Sequence, residues 1–500
     1  MTVNRIVNLA AIQALTADQL AIQECIVVSA QRFTPQLDSN ANQVHKSAHP
    51  GRAKVVIVGA GFGGLSAAYA LRNAPVDITI LDRHNYHCFQ PLLYQVATAA
   101  LSPADIAWPI RRLFRSRPNV TVLLAEVTGV DPRAGTVFAG LEAFPFDYLV
   151  LASGATHSYF GHPDWAAVAP GLKTIEDATL IRRNMLLGFE KAELAHTTEE
   201  RRRFLTFAIV GGGPTGVEMA GAIASIARES LRMDFRHINP EDADVILIEA
   251  GPRILPALPE NLSGYAHRAL TRMGVDVRTS TAVTACTEAG VDTEKGFIEA
   301  GTVIWAAGVV ASPAAKWLGV KADRAGRMEV NADLSLPNYS NIFAIGDTAL
   351  VRGPDNKPVP GIAPAAKQMG DYAGKRIAAI IAGKEIKAFR YHHEGDLATI
   401  GRDAAVVKIG SISLTGRIGW LFWGAAHIYF LIGLRNRFAV AFSWLWSYLT
   451  YQQGARLITG YDPRADEDGQ YAKAAGATVH KSLGKSASGG NPPAEPLPRH

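Results

Sequence analysis

Three cysteines in 500 residues, Cys25, Cys88 and Cys286, stand far apart, and no C-x-x-C or C-x-x-x-x-C pair exists. The chain therefore carries neither a redox dithiol nor a cysteine-rich metal site, and no metal is expected. Such sparse cysteine suits a reducing, cytoplasm-facing compartment. Basic residues exceed acidic ones by only five, 50 against 45, and they are scattered. No basic stripe interleaved with aromatics appears, so nucleic acid is not an expected partner. The small excess favours instead an anionic neighbour, such as an acidic membrane surface or an anionic cofactor. No secretory signal opens the chain: Arg5 is the sole positive charge before Arg32, and Gln13, Asp18, Gln19 and Gln23 interrupt the apolar stretches. Residues 1–52 read as a disordered extension, with a mitochondrial transit peptide left open by the sparse acidic residues. Residues 462–500, rich in Ala, Gly, Ser, Pro and charge, read as a disordered tail.

Glycine is abundant, and its placement is informative. KVVIVGAGFGGLSAAYAL sets Gly59, Gly61 and Gly64 in a G-x-G-x-x-G frame, with Phe62 and Gly63 between. About 150 residues on, FAIVGGGPTGVEMAGAI repeats the frame with Gly211, Gly213 and Gly216, Pro214 and Thr215 lying inside it. In each, an apolar strand runs into a turn that the first glycine permits. The second glycine lets the backbone approach a pyrophosphate, and the third lets helix and strand pack closely. The phosphates then face free N–H groups at the helix start. A carboxylate ending the next strand completes such a unit by accepting ribose hydroxyls. Asp82 in DITILDRHN and Glu249 in DVILIEAGP fit that role, although an insertion over 231–244 lengthens the second spacing.

Between the fingerprints lie two further elements. RHNYHCFQPLLYQVATAALSP offers His84, His87, Gln90 and Tyr94 to a flavin cleft, with loop packing the plainer reading of each. FDYLVLASGA ends a strand in Ser153 and Gly154, small enough for the chain to cross above a bound cofactor. After the second unit, YSNIFAIGDTALV places Gly346 and Asp347 behind a buried strand and ahead of an expected helix, where Asp347 can bind a ribityl hydroxyl. The order of fingerprint, small-residue strand, second fingerprint and Gly-Asp implies an α/β fold of two Rossmann-like dinucleotide-binding domains, the NAD domain inserted in the FAD domain. The boundaries are an extension over 1–52, FAD domain over 53–170, NADH domain over 171–310, FAD domain again over 311–390, C-terminal strands and amphipathic membrane-anchoring helices over 391–461, and the tail over 462–500.

The C-terminal run over 418–434 has seventeen residues without a formal charge, and Arg435, Asn436 and Arg437 precede another apolar stretch. A membrane-spanning helix needs ~20 such residues. Trp420, Trp423, Trp444 and Trp446, with Tyr429, Tyr448 and Tyr451, suit a headgroup region, and Arg417, Arg435 and Arg437 can reach lipid phosphates. One or two helices lying in one leaflet are expected, with a transmembrane hairpin or a buried helix pair as alternatives.

These motifs together, over about residues 54–460, resemble the two-dinucleotide flavoproteins and, more closely, the type II NADH:quinone oxidoreductases. The resemblance rests on GAGFGGL, NYHCFQPLLYQVATA, GGGPTGVEMAGAIA, ILIEAGPRILP, VIWAAGV, IFAIGD and the C-terminal block. It implies FAD as cofactor, NADH as substrate and a membrane quinone as acceptor, on an anionic lipid surface at the cytoplasmic face of the inner membrane, or at the mitochondrial inner membrane. Glu218 is implied near the nicotinamide. The family's quinone motif of two glutamines four residues apart maps onto PGIAPAAKQMG: the second is Gln368, beside Lys367, while Pro364 replaces the first. Glu249 should disfavour the extra phosphate of NADPH, Arg253 partly offsetting it. No proton-pumping helix bundle is visible, so the transfer should move no protons across the membrane. The missing cysteine pair argues against a disulfide reductase. A reductase of ferredoxin or a similar protein, and a non-catalytic membrane-tethered redox sensor, remain alternatives, and a homodimer is left open.

Overall fold

The computed structural model describes residues 51–353, 356–450 and 454–459. The tail over 462–500, Cys25 and all but the last two residues of the N-terminal extension lie outside the described residues. The chain enters on β1 (Ala53–Val58), turns into α1 (Phe62–Ala70) and returns on β2 (Val76–Asp82). A short helix α2 (Leu93–Ala97) follows, then β3 (Val120–Leu124), β4 (Tyr148–Leu151) and β5 (Ala155–His157). The second unit comprises α3 (Ile175–Leu194), β6 (Thr206–Val210), α4 (Pro214–Ser225), β7 (Asp244–Ile248), β8 (Val275–Arg278) and β9 (Thr302–Trp305). The chain then passes through β10 (Val309–Ala311), β11 (Tyr339–Ala344) and the long helix α5 (Ala363–Ile381). It ends on a meander, β12 (Asp396–Gly401), β13 (Ala404–Ile409) and β14 (Ile412–Thr415), and a helix pair, α6 (Gly416–Phe430) and α7 (Leu434–Thr450).

Two sheets organise the body. In the first the order is β11-β4-β1-β2-β3, all parallel, with Ser335–Leu336 paired antiparallel outside β11. Its strands come from both sides of the second unit in sequence. The second sheet, β8-β7-β6-β9, is wholly parallel. Continuous Val/Ile/Leu runs such as Val55–Val58 make such strands, because helices and loops cover both faces. A two-stranded antiparallel ribbon, β5 with β10, carries the chain out of the first sheet and back.

Glycine sets the helix packing over the first sheet. A Cβ on Gly370 of α5 would run into the carbonyl of Gly63 on α1, and one on Gly374 would come within 2.6 Å of the Ala67 carbonyl. The two helices therefore meet backbone to backbone, which brings the start of α5 beside the first fingerprint. The expected helix directly after Gly346–Asp347 is only one tight turn, Gly346–Thr348, before the chain goes back to strand at Ala349–Leu350. The helix that packs on this turn is α5, from farther along the chain.

The meander docks on α4, where Gly221 touches the Ile400 carbonyl so closely that no side chain fits between them. One core runs from Phe89 through Ile106, α3 and α4 to Trp423, Leu431 and Val440, joining the helix pair to the body. The break between α6 and α7 falls at Leu431–Gly433, so Arg435–Arg437 lie in the first turn of α7 and not between the helices. Asn436 there is 1 % exposed and donates to the Ala104 and Ala107 carbonyls at 3.4 Å. The opposite faces are bare: Ile418, Leu421, Phe438, Phe442, Leu445 and Leu449 are all exposed. Among the described residues no helix is long and apolar enough to cross a membrane.

Candidate functional site

The first fingerprint opens a cleft of about 510 Å³ at the carboxyl ends of β1, β2 and β4. Gly59 turns with φ of +97°, a left-handed conformation in which a Cβ would collide with the Ala152 carbonyl. Gly61 has open space where a Cβ would be, leaving the start of α1 bare for a phosphate. Asp82 ends β2 and fixes the turn: one oxygen accepts the Ala60 N–H at 2.6 Å, the other that of His84 at 2.7 Å. Phe62, Gly63, Ser153, Gly154, Gly346 and Asp347 all line the same cleft. Gly64 does not. Its hydrogen faces the Gly59 carbonyl, so it acts on the cofactor only through helix–strand packing.

Of the four side chains expected from the aromatic stretch, His84, His87 and Gln90 line the cleft. His87 is 2 % exposed, and its Nδ1 lies 2.9 Å from the Ala60 carbonyl, which requires the proton on that nitrogen. Its Nε2 has no partner. The glycine turn itself, with no side chain between Gly59 and the Ala152 carbonyl and open space at Gly61, leaves the backbone cradle that the pyrophosphate of an adenine dinucleotide fits. Burial lowers the His87 pKa, so the imidazole is neutral. Cys88 lies here too, its thiol pushed by burial up to about 12 and so unreactive.

The second fingerprint repeats the geometry. Gly211 has φ of +111°, and a Cβ there would lie 2.6 Å from the Ala306 carbonyl. Glu249 receives the Gly212 and Gly251 N–H groups, each at 2.6 Å, as Asp82 receives its pair. Gly213 is open like Gly61, and Gly216 packs on the Gly211 carbonyl like Gly64. Pro214 and Thr215 begin α4. Arg253 donates to the Pro256 carbonyl at 3.0 Å.

Glu218 and Tyr94 meet in a different place. They line a crevice between α4, α2, the meander and the helix pair, with Gln95, Thr399, Trp420, Trp423, Trp444 and Tyr448. Burial pushes the Glu218 carboxyl up to about 8, partly opposed by a hydrogen bond from the Thr399 backbone. Tyr94 therefore faces Glu218 and not the first cleft. Trp444 Nε1 donates to Gln95 Oε1 at 2.7 Å, and Gln95 donates to the Tyr94 hydroxyl at 2.9 Å. Sequence reading missed Gln95, Thr399 and Trp444 as neighbours of Glu218. The first stands next to Tyr94 in a stretch already singled out, but nothing in its spacing pointed to residues some 300 positions away.

Lys367 and Gln368 begin α5 near the first cleft without lining it. The Gln368 amide donates to the His392 carbonyl at 2.9 Å and to Glu394 at 3.0 Å, and accepts the His392 N–H at 3.0 Å. Lys367 sits 4.9 Å over the Phe430 ring of α6. Both tie α5 to the C-terminal segments.

Comparisons agree with this geometry. Residues 53–370 match the pyridine nucleotide-disulphide oxidoreductase family, and residues 393–451 match the NDH2 C-terminal domain. The type II NADH:quinone oxidoreductase NdhA of Mycobacterium tuberculosis is 42 % identical over 431 residues, covering 83 % of this chain and 91 % of that protein. The type II NADH:quinone oxidoreductase of Staphylococcus aureus is 29 % identical, over 73 % of this chain and 92 % of its own length. The fold is shared with the structure of Plasmodium falciparum NDH2 in complex with NADH, at a TM-score of 0.74 and 22 % identity, over 82 % of this chain and 100 % of that one.

Proposed function

The chain belongs to the type II NADH:quinone oxidoreductases, and from that premise we infer that it is an FAD-dependent enzyme moving electrons from NADH to a membrane quinone without pumping protons. The observation that carries the reading is the pair of carboxylate-fixed glycine turns joined by one ribbon, with a separate aromatic crevice behind them. FAD in the first cleft supplies two-electron chemistry that separates NADH oxidation from quinone reduction. Asp82 would hold its ribose, Asp347 its ribityl chain and the start of α1 its phosphates. Glu249 would take the adenosine ribose of NADH, and its charge disfavours a 2′-phosphate there.

Glu218 is suited to proton transfer. With its carboxyl at about 8 it is protonated at neutral pH, so it can donate to a quinone oxygen and regain the proton from water. Trp420, Trp423, Trp444 and Tyr448 supply the apolar walls a quinone ring prefers. Gln368 and Lys367 act as positioning residues beside the first cleft, since their polar groups hold the start of α5 against the 392–394 segment and Phe430.

The exposed apolar faces of α6 and α7 support a peripheral attachment, with Arg417, Arg435 and Arg437 toward anionic headgroups on the cytoplasmic face. A quinone could then enter the crevice from lipid. Steady-state NADH oxidation by protein reconstituted on anionic vesicles tests the reading. Rapid turnover that requires a quinone is expected; flavin reduced by NADH but never reoxidised by quinone would refute it and favour a protein acceptor.

A further inference from the structure

Among the described non-glycine residues with a left-handed backbone, Phe160 alone carries a large apolar side chain that is exposed. It has a φ of +50°, a left-handed conformation that a bulky residue rarely adopts, and the residue is 67 % exposed. Such strain persists only where the surroundings enforce it, and it concentrates at functional sites. Here the enforcement is visible. Ser158 donates its N–H to the Gly308 carbonyl at 3.1 Å, and Trp305 Nε1 donates to the Ser158 carbonyl at 2.8 Å. Tyr159 stacks on Trp305 at 5.3 Å and donates its hydroxyl to the Ala169 carbonyl at 2.9 Å. The loop after β5 is thus stitched to the end of β9, and Phe160 is pressed over Gly308, where even a Cβ would come within 2.8 Å of its ring.

That position follows the end of β9, toward which the nicotinamide half of a dinucleotide bound at the second fingerprint would run. In the order β8-β7-β6-β9, a bound dinucleotide would cross the end of β6 at Gly211 with its pyrophosphate and set its adenosine ribose on Glu249 at the end of β7. The other half must run toward the end of β9, and Gly211 already touches Ala306 there. The residues just before the loop, Gly154–His157, line the first cleft. Phe160 therefore stands between the second fingerprint and that cleft, with an apolar ring open to solvent.

We propose that Phe160 positions the nicotinamide half of NADH, its ring forming the wall against which the nicotinamide riboside packs on its way to the first cleft. The proposal rests on the NADH reading above. It also explains the strain: a ring turned inward would relax the backbone but leave Gly308 uncovered and the nicotinamide without a wall.

The test compares wild type with Phe160→Asn, since asparagine accepts the left-handed conformation and removes the ring. NADH affinity is read from the concentration dependence of flavin reduction under rapid mixing, and ADP-ribose, which lacks nicotinamide, is read as a competitor. The variant should bind NADH roughly threefold to tenfold more weakly, the range an aromatic pair contributes. ADP-ribose inhibition, reoxidation of flavin by quinone and the unfolding midpoint should be unchanged or, for the midpoint, raised. Phe160→Tyr should restore NADH binding. Unchanged NADH affinity in Phe160→Asn overturns the proposal, as does an equal loss for ADP-ribose, which would mark a general disturbance of the loop. If NADH fails to reduce the wild-type flavin, the underlying reading falls and this one with it.

Discussion

Glu218 offers a perturbation whose size can be worked out beforehand. Its carboxyl titrates near 8 in the fold because burial disfavours the anion, whereas an unfolded glutamate titrates near about 4.3. Between those values the native protein keeps a proton that the unfolded chain has released. The stability attached to that proton is fully present below about pH 4 and is lost as pH rises through about 8. At about 1.4 kcal/mol per pH unit the upper bound is about 5 kcal/mol. The carboxyl lines an open crevice, so a loss on the order of 2–4 kcal/mol is the better expectation. Glu218→Gln preserves the shape, and its amide oxygen can still accept the Thr399 hydrogen bond. Urea unfolding of both proteins from pH 5 to 8.5 should show the variant gaining on the wild type by that amount as pH rises, other groups cancelling in the difference. Quinone-driven reoxidation of the flavin should fall by ~100-fold or more, the usual contribution of a positioned acid. The wild-type decline in that rate near pH 8 should vanish, with flavin reduction by NADH little changed. A variant that keeps the wild-type pH dependence, in stability or in reoxidation, refutes the reasoning.

Other changes are expected to separate the remaining parts. Glu249→Gln exchanges a carboxylate that accepts two N–H groups for an amide that can accept only one of them well; the KM for NADH should rise ~10-fold or more, and the preference over NADPH should narrow in steady-state assays. Asp82→Asn disturbs the first turn in the same way, and the flavin retained per chain after gel filtration should drop. Gly370→Ala forces α5 off the Gly63 carbonyl, and thermal unfolding should report a loss of about 1–3 kcal/mol from overpacking. Leu421→Asp with Phe438→Asp should abolish sedimentation with anionic vesicles while leaving oxidation of NADH by a water-soluble quinone intact.

Much of the nucleotide chemistry was legible because it is local. A glycine frame, the strand before it and a carboxylate after the next strand lie within a few tens of residues, and backbone geometry demands those residue types. The lining of the first cleft by Gly59 and Asp82 follows that logic, while Ser153 and Asp347 were legible from the order of the motifs along the chain. The turn at Gly346 read as a helix start because the apolar pattern after it does not distinguish a short strand from a helix. Tyr94 read as a cleft residue because His84, His87 and Gln90 beside it are; one turn of α2 was enough to aim it elsewhere.

Sequence by itself determined the two dinucleotide units, their carboxylates and the apolar C-terminal segment, since each depends on neighbours along the chain. Only the tertiary structure decided where Glu218 lies and with whom. Its neighbours come from α2, the meander and the helix pair, and the close approach of Gly221 to the Ile400 backbone is what brings the meander against α4 beside it. It likewise decided that Gln368 is held by the 392–394 segment and that Phe160 stands over Gly308. Burial, charge and strain depend on which distant segments meet, and no local spacing records that.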